Sequence, residues 1–241
     1  LLILVRAESE TAAAAALAQV DDLLRQRQPS TTAGYRPRSL RGALSQLPDA
    51  GWVCISVPGR YAAAVADEAL EMGRHVFLYS DNVSVTDEIA LKHKARARGL
   101  LVMGPDCGTA ILNGVGLGFA NRVRPGNIGI VAASGTGLQA ASVEIDRLGG
   151  GVSQAFGAGG RDLKAEVGGQ TTHQALSWLA ADPATAVILL ISKPPAPEVA
   201  AALLRAAQTC GKPVVVNFIG YPPPARRVGN LTFTAGLADA A

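Results

Sequence analysis

The stretch NIGIVAASGTGLQAA, residues 127–141, runs from an apolar burst through a glycine-rich corner into an alanine-rich segment, the order expected of a buried strand, a tight turn and a helix. Its surroundings repeat the theme. Downstream, β-branched or leucine-rich runs predict strands at 127–132, 152–156, 186–191, 213–219 and 231–234, with helices near 137–148, 172–181 and 197–210. Upstream, strands are expected at 1–6, 52–57, 75–80 and 100–103, and helices at 9–27, 60–72 and 85–98. Strands alternating with helices build parallel sheets, so the fold class is α/β with two doubly wound domains. The Gly- and Asn-rich stretch NGVGLGFANRVRPGN, 113–127, sets the boundary near 123, with a Rossmann-like domain over 1–122 and a second doubly wound domain over 123–241. The segment RQPSTTAGYRPR, 27–38, reads as a loop.

Composition narrows the function classes. Hydrophobic residues are 49% and charged residues 17% of the 241, enough for a buried core. The 22 basic residues are scattered among 19 acidic ones, with no Lys/Arg run, so a nucleic-acid partner is not expected. The longest apolar runs, AVILLIS and PVVVNFIG, are strand-length, and no membrane span is expected. Cys54, Cys107 and Cys210 are widely spaced without a CxxC, which argues against a disulfide framework or a metal site and for a reducing, cytoplasmic setting. The opening LLILVRAES has neither an initiator Met nor the features of a signal peptide, so the chain reads as a piece of something longer.

The glycine corner SGTG, 134–137, follows a strand and opens a helix, so the unpaired N–H groups of the first turn point at whatever lies above it. Small anions bind such corners. Gly135 and Gly137 allow close backbone approach, and Ser134 and Thr136 add hydroxyls. An N-cap with glycines for tight packing is the structural alternative. With Ala140 the spacing also fits the dinucleotide pattern G-x-G-x-x-A, but the ribose-binding acid expected after the next strand is replaced by GAGG. That next strand runs into GAGGRD, 157–162, where Gly159 and Gly160 precede Arg161, a side chain able to grip a carboxylate or phosphate with two parallel bonds. The strand after it ends in Ser192 and Lys193. Arg161 and Lys193 are thus candidate clamps on a small anionic substrate; Asp162 as a partner for Arg161, and plain solvation of Lys193, are the alternatives.

The order of SVPG (56–59), YSDNVS (79–84), LLVMGPDCGTA (100–110), NIGIVAASGTG (127–137), AFGAGGRD (155–162) and DPATAVILLISKPP (182–195) resembles the succinyl-CoA synthetase alpha-subunit family. Within that superfamily GPDCGTA, VAASGTGLQ, GGRDL with EVGG, and SKPP resemble the FdrA proteins, described as predicted acyl-CoA synthetases. The resemblance implies a CoA-binding-type Rossmann domain followed by a flavodoxin-like ligase domain whose SGTG helix faces the transferred phosphate. It further implies coenzyme A near Ser56, Pro58, Asp81 and Asn82, and a substrate beside Gly104, Pro105 and Asp106.

The ligases carry the phosphate on a histidine held by a Glu. Here Asn230 falls where that histidine would be and Lys193 where the Glu would be, so no phosphohistidine is available. His75 opens a buried strand, His93 lies with Lys92, Lys94 and Arg96 on what reads as a solvated helix face, and His173 starts a helix. Cys107 stands beside Asp106, which opposes thiolate formation. The first strand leads into acid rather than a glycine turn, which weakens the expected nucleotide grip. The resemblance implies an acyl-CoA-synthetase-like ligase or transferase acting on an acyl or carbamoyl phosphate and a small carboxylate or amide acceptor, linked to purine-ureide catabolism. A non-catalytic CoA- or nucleotide-binding regulatory subunit is the alternative. A homo-oligomer, or a complex with a beta-type ligase half, is the expected assembly.

Overall fold

The computed structural model describes residues 4–25, 37–223 and 225–241, arranged in two compact units, Leu1–Ser39 and Leu40–Ala241. In the first unit the expected 9–27 helix is two: α1 (Glu10–Ala18), capped by Ser9 Oγ on the Ala12 amide at 3.2 Å, and α2 (Val20–Arg25). Of the expected 1–6 strand, residues 1–3 lie outside the described residues and 4–6 form no strand, a correction: an apolar run predicts a strand only where a neighbouring strand accepts its ladder. The loop expected at 27–38 falls almost wholly outside the described residues.

The second unit opens with α3 (Leu40–Gln46) and a three-stranded parallel sheet, β1 (Trp52–Ile55), β2 (His75–Leu78) and β3 (Val102–Met103), in that order. Two helices connect its strands, α4 (Gly59–Glu71) and α5 (Val85–Ala97). On α4 the buried residues Ala62, Ala66, Ala69 and Leu70 recur on one helical face, which is why this run coils and packs.

The chain then enters an eight-stranded sheet through a hairpin, β4 (Thr109–Leu112) and β5 (Val115–Gly118), turned by Asn113 and Gly114 with φ of 51° and 77°. There follow β6 (Pro125–Ala132), α6 (Gly135–Arg147), β7 (Val152–Gly157), α7 (Gln170–Ala181), β8 (Val187–Ser192), α8 (Pro197–Gln208), β9 (Val214–Phe218), β10 (Arg227–Val228), β11 (Leu231–Phe233) and α9 (Leu237–Ala240). The strand order is β10-β11-β9-β8-β6-β7-β4-β5, so the changeover between sheets lies at residues 104–108, ahead of the boundary near 123 read from sequence. The parallel strands β7-β6-β8-β9-β11 run in the flavodoxin-like order, which reverses between β6 and β8. A reversal of this kind leaves a crevice outside the carboxyl ends of the two strands it separates.

Successive strand residues face opposite layers. Ile130, Ala132, Leu189 and Ile191 pack with Leu138, Ala141 and Ile145 of α6, whereas Val131, Ile188 and Leu190 pack with Leu176 and Leu179 of α7 and Leu203 of α8. The α7 layer also takes Phe77, Leu101 and Met103 of the first sheet, so the sheets share one core.

A charge network crosses this junction. Lys92 of α5, 2% exposed, donates to Glu88 Oε1 at 2.8 Å, Asp162 Oδ1 at 2.7 Å and Ala158 O at 3.2 Å. Asp162, wholly buried, also accepts from the Thr171 and Thr172 amides and, at 2.6 Å, from the Thr172 hydroxyl. Arg161 completes the set: its Nε donates to Glu88 Oε2 at 3.0 Å and a terminal nitrogen to Val83 O at 2.8 Å. Lys92 therefore lies in the core and not on a solvated face; α5 turns Glu88, Leu91, Lys92 and Ala95 inward together. His93 does face solvent.

Cys107 is buried at the same junction, its thiol 3.3 Å from Gly157 O and its proton affinity pushed up to about 12 by burial. Two predictions follow from this packing. Lys92→Met leaves the buried Asp162 carboxylate without a cation and Glu88 with Arg161 alone, and lowers urea-measured stability by about 3–5 kcal/mol; a loss below ~1 kcal/mol contradicts the network's role. With an aromatic disulfide reagent at about pH 8, exposed Cys54 is modified in the folded protein and Cys107 only on unfolding; equal rates would show an open junction.

Candidate functional site

The crevice between β6 and β8 is bordered by three loops. The first is the α6 corner. Ser134 caps the helix, its Oγ accepting the Gly137 amide at 3.2 Å, so of the six residues expected to hold phosphate, Ser134, Gly135, Thr136, Gly137, Gly159 and Gly160, Gly137 has its donor spent on the cap. The Gly135 and Thr136 amides have no acceptor within the helix, and Thr136 is exposed. The Ser134 hydroxyl keeps its own proton to donate. Gly137 is buried against β8, where a methyl would lie 3.0 Å from Ile191 Cγ2.

The second loop, GAGGRD, leaves β7 and folds back on the GPDC segment. Gly159 has φ of +88°, and a methyl there would lie 2.5 Å from Pro105 O, so the position accepts only glycine. Gly104 and Pro105 are buried beneath this contact, joined by a cis peptide. The third loop carries Lys193 from the end of β8. A methyl on Gly160 would sit 3.9 Å from Lys193 Nζ and 4.0 Å from Asp106 Oδ2, which places one exposed cation and one exposed carboxylate close to this glycine. Neither forms an ion pair among the described residues.

Arg161 stands apart from this pair. Its Nε and one terminal nitrogen are engaged by Glu88 and Val83 O, so its partner is Glu88 rather than Asp162 and it braces the loop instead of reaching freely into the crevice. Asp162 is spent on Lys92 and α7.

Asp106 also lines a cavity of about 390 Å³ at the carboxyl ends of β1 and β2, with Ser56, Tyr79, Ser80, Asp81 and Phe119. Of the residues expected around coenzyme A, Ser56 and Asp81 are in its wall; Pro58 and Asn82 are exposed nearby, where Gly59 abuts the Asp81 and Asn82 backbone. Ser80 fixes the rim, its hydroxyl accepting the Val57 amide at 3.0 Å. The lining holds two carboxylates and neither Lys nor Arg, so it repels a diphosphate. Tyr79 and Phe119, ring centroids 5.4 Å apart, give it an aromatic side that the sequence reading missed because Phe119 arrives on the hairpin.

The remaining sequence candidates lie elsewhere. Asn230 sits at the amino end of β11, at the opposite end of the sheet from the α6 corner, and donates to Ala207 O and Lys212 O at 2.9 and 2.7 Å, ending α8 and seating β9. His173 is half-buried on α7, and burial holds its imidazole below the usual histidine range. The described residues contain no group of His, Cys, Asp and Glu that could hold a metal ion, and no described helix is long and apolar enough to cross a membrane.

Known proteins share this architecture. Residues 123–220 match the family model described as CoA binding domain, a stretch that includes the α6 corner, GAGGRD and Lys193 and leaves out Ser56 to Asn82. The resemblance had implied a CoA-binding-type domain over 1–122. The whole chain is 46% identical to 47% of the uncharacterized protein YahF of Escherichia coli, and 76% of it is 30% identical to 63% of the succinate–CoA ligase [ADP-forming] subunit alpha 2 of Archaeoglobus fulgidus. Thus the chain spans about half to two-thirds of the length of these relatives. Among solved structures, ATP citrate lyase from Methanothrix soehngenii, in complex with citrate and coenzyme A, superposes on 82% of this chain and 34% of its own with a TM-score of 0.66 at 21% identity, a likeness of fold. Residues 123–220 thus resemble a CoA-binding domain, in a chain similar to the alpha subunits of ADP-forming CoA ligases.

Proposed function

We propose that this chain is the alpha-subunit-like part of an FdrA-type acyl-CoA-synthetase-like enzyme that holds an acyl or carbamoyl phosphate in the β6/β8 crevice and passes its acyl or carbamoyl group to a small acceptor, without a phosphohistidine. The observation that carries this reading is the juxtaposition at Gly160 of Lys193 and Asp106, neither ion-paired among the described residues, with the free amides of α6 at the end of β6, the strand next to the one that carries Lys193. In this reading phosphate oxygens take the Gly135 and Thr136 amides, the Ser134 hydroxyl and the Lys193 ammonium. Gly159 and Gly160 keep the loop thin enough for that approach, and Arg161 acts as a positioning residue through Glu88.

The acceptor then occupies the neighbouring cavity, where Asp81 and Asp106 favour an N–H donor such as an amide over a carboxylate. Its nitrogen attacks the carbonyl carbon of the acyl phosphate: the C–N bond forms as the C–O bond to phosphorus breaks, inorganic phosphate leaves, and the nitrogen's proton passes to Asp106. Proximity of the two reactants and stabilisation of the leaving phosphate supply the rate. A beta-type ligase half or a second copy of the chain would complete the assembly.

A second reading, a non-catalytic CoA- or nucleotide-binding regulatory subunit, is favoured by the family match over 123–220. The residues present fit a diphosphate at the α6 corner and do not fit one in the Asp81/Asp106 cavity, so coenzyme A in this reading would be held as an effector by Ser134–Thr136 and Lys193. Calorimetric titration of carbamoyl phosphate, acetyl phosphate and coenzyme A separates the two. Thr136→Glu adds an acid to the first turn of α6, which stabilises the helix by about 0.3–1 kcal/mol while blocking the anion corner. We expect acyl-phosphate binding to be lost in Thr136→Glu with thermal stability retained, and weakened about tenfold in Lys193→Ala. Coenzyme A binding without acyl-phosphate binding supports the second reading; affinities unchanged in both variants contradict the site itself.

A further inference from the structure

We propose a second small-molecule site, for an uncharged planar nitrogen heterocycle, in the cavity at the amino-terminal ends of the strands, the end of the sheets opposite the crevice. This cavity, about 260 Å³, lies between Trp52 of β1, His75 of β2, Trp178 of α7 and the Asn113 turn of the β4–β5 hairpin. Aromatic residues are sparse in the chain, 5% of the total, yet both of its tryptophans line this one space. The His75 ring lies 4.8 Å from Trp52 and 5.5 Å from Trp178, and Phe156 closes the cluster 6.0 Å from Trp178. Aromatic walls of this kind favour a flat ring, which they contact over its whole face.

The polar groups restrict the ligand further. His75 Nδ1 accepts the Leu101 amide at 3.1 Å, so in the neutral ring Nε2 carries the proton and is a donor. Gln154 is paired twice with Asn113, Nε2 to Oδ1 at 2.7 Å and Oε1 from the Asn113 amide at 2.8 Å, which orients the Asn113 carboxamide and leaves its own N–H groups to give. A purely hydrocarbon ligand would leave these donors without acceptors. An anion is disfavoured, because Asp182 is in the lining, neither Lys nor Arg is, and the neighbouring Lys212 ammonium is spent on the Leu179 and Asp182 carbonyls. A cation is disfavoured as well, since the Asp182 carboxylate is already engaged by the Ala184 amide and the Thr185 hydroxyl and the nearest side-chain donors are N–H groups. The class that remains is a ring with nitrogen or carbonyl acceptors on its edge and no net charge. The volume suits one or two fused rings and not a nucleotide's sugar and phosphates.

Tryptophan emission reads this cavity directly. The probes are benzimidazole and adenine at about pH 8, where both are uncharged, with indene as the hydrocarbon isostere of benzimidazole and tetramethylammonium and inorganic phosphate as charged controls. We expect a saturable emission change with benzimidazole or adenine, about fivefold weaker binding of indene, and a similar fivefold weakening of the heterocycle in Asn113→Gly, which keeps the positive φ of the turn while removing the carboxamide. Thr136→Glu should leave this binding unchanged, because the α6 corner is at the other end of the strands. The proposal is overturned if neither heterocycle gives a saturable change, if indene binds as well as benzimidazole and Asn113→Gly has no effect, or if tetramethylammonium or phosphate is the preferred ligand.

Discussion

The architecture of the Leu40–Ala241 unit depends on the buried association of Glu88, Lys92, Arg161 and Asp162. Its formal charges cancel, and each member is held by hydrogen bonds as well as by its counter-charges, the condition under which ions tolerate burial. The association joins α5, which belongs to the first sheet, to the loop that leaves β7 of the second. Lys92 also fixes Ala158 O, one residue before the contact between Gly159 and Pro105. The position of Gly160 near Lys193 and Asp106 is therefore set by electrostatics in the core, two residues away. Hydrophobic packing alone would hold the sheets together without specifying that register.

That register divides the surface by charge. At the reversal point of the second sheet the first amides of α6 and the exposed Lys193 ammonium contribute positive charge. At the end of the first sheet Asp81 and Asp106 make a negative cavity. Asp106 borders both, with backbone φ of 55° imposed by the GPDC bend, and its amide is tied to Ser80 O of the first sheet. A reactant bearing phosphate and a reactant bearing N–H groups would be sorted by field before any specific contact forms. In the proposed reaction both reactants are held at once and no phosphate travels on the protein.

The alternation of apolar runs and helical stretches made most of the parallel strands and their helices legible from sequence, because central strands buried on both faces must be continuously apolar. The SGTG corner was legible as local structure, a strand end, two glycines and a capped helix start. Three features were not. The β4–β5 hairpin is short and half-exposed, so its strands carry little apolar signal, and with it went the changeover at 104–108 and the Phe119 wall. Lys92 sits four residues after Glu88, a spacing that usually marks a solvated pair, and only the distant Asp162 makes burial possible. Asn230 followed a motif by position, whereas the chain's path carries it to the far end of the sheet.

The central claim is that phosphate oxygen atoms are held at the β6/β8 crevice by the first amides of α6 and by Lys193. The direct measurement is anomalous diffraction from crystals of the protein soaked in tungstate, a heavy tetrahedral dianion. The account predicts a peak within hydrogen-bond distance of the Gly135 and Thr136 nitrogens and of Lys193 Nζ, absent from Thr136→Glu crystals. A peak in the Asp81/Asp106 cavity, or a crevice without one at saturating tungstate, would contradict it.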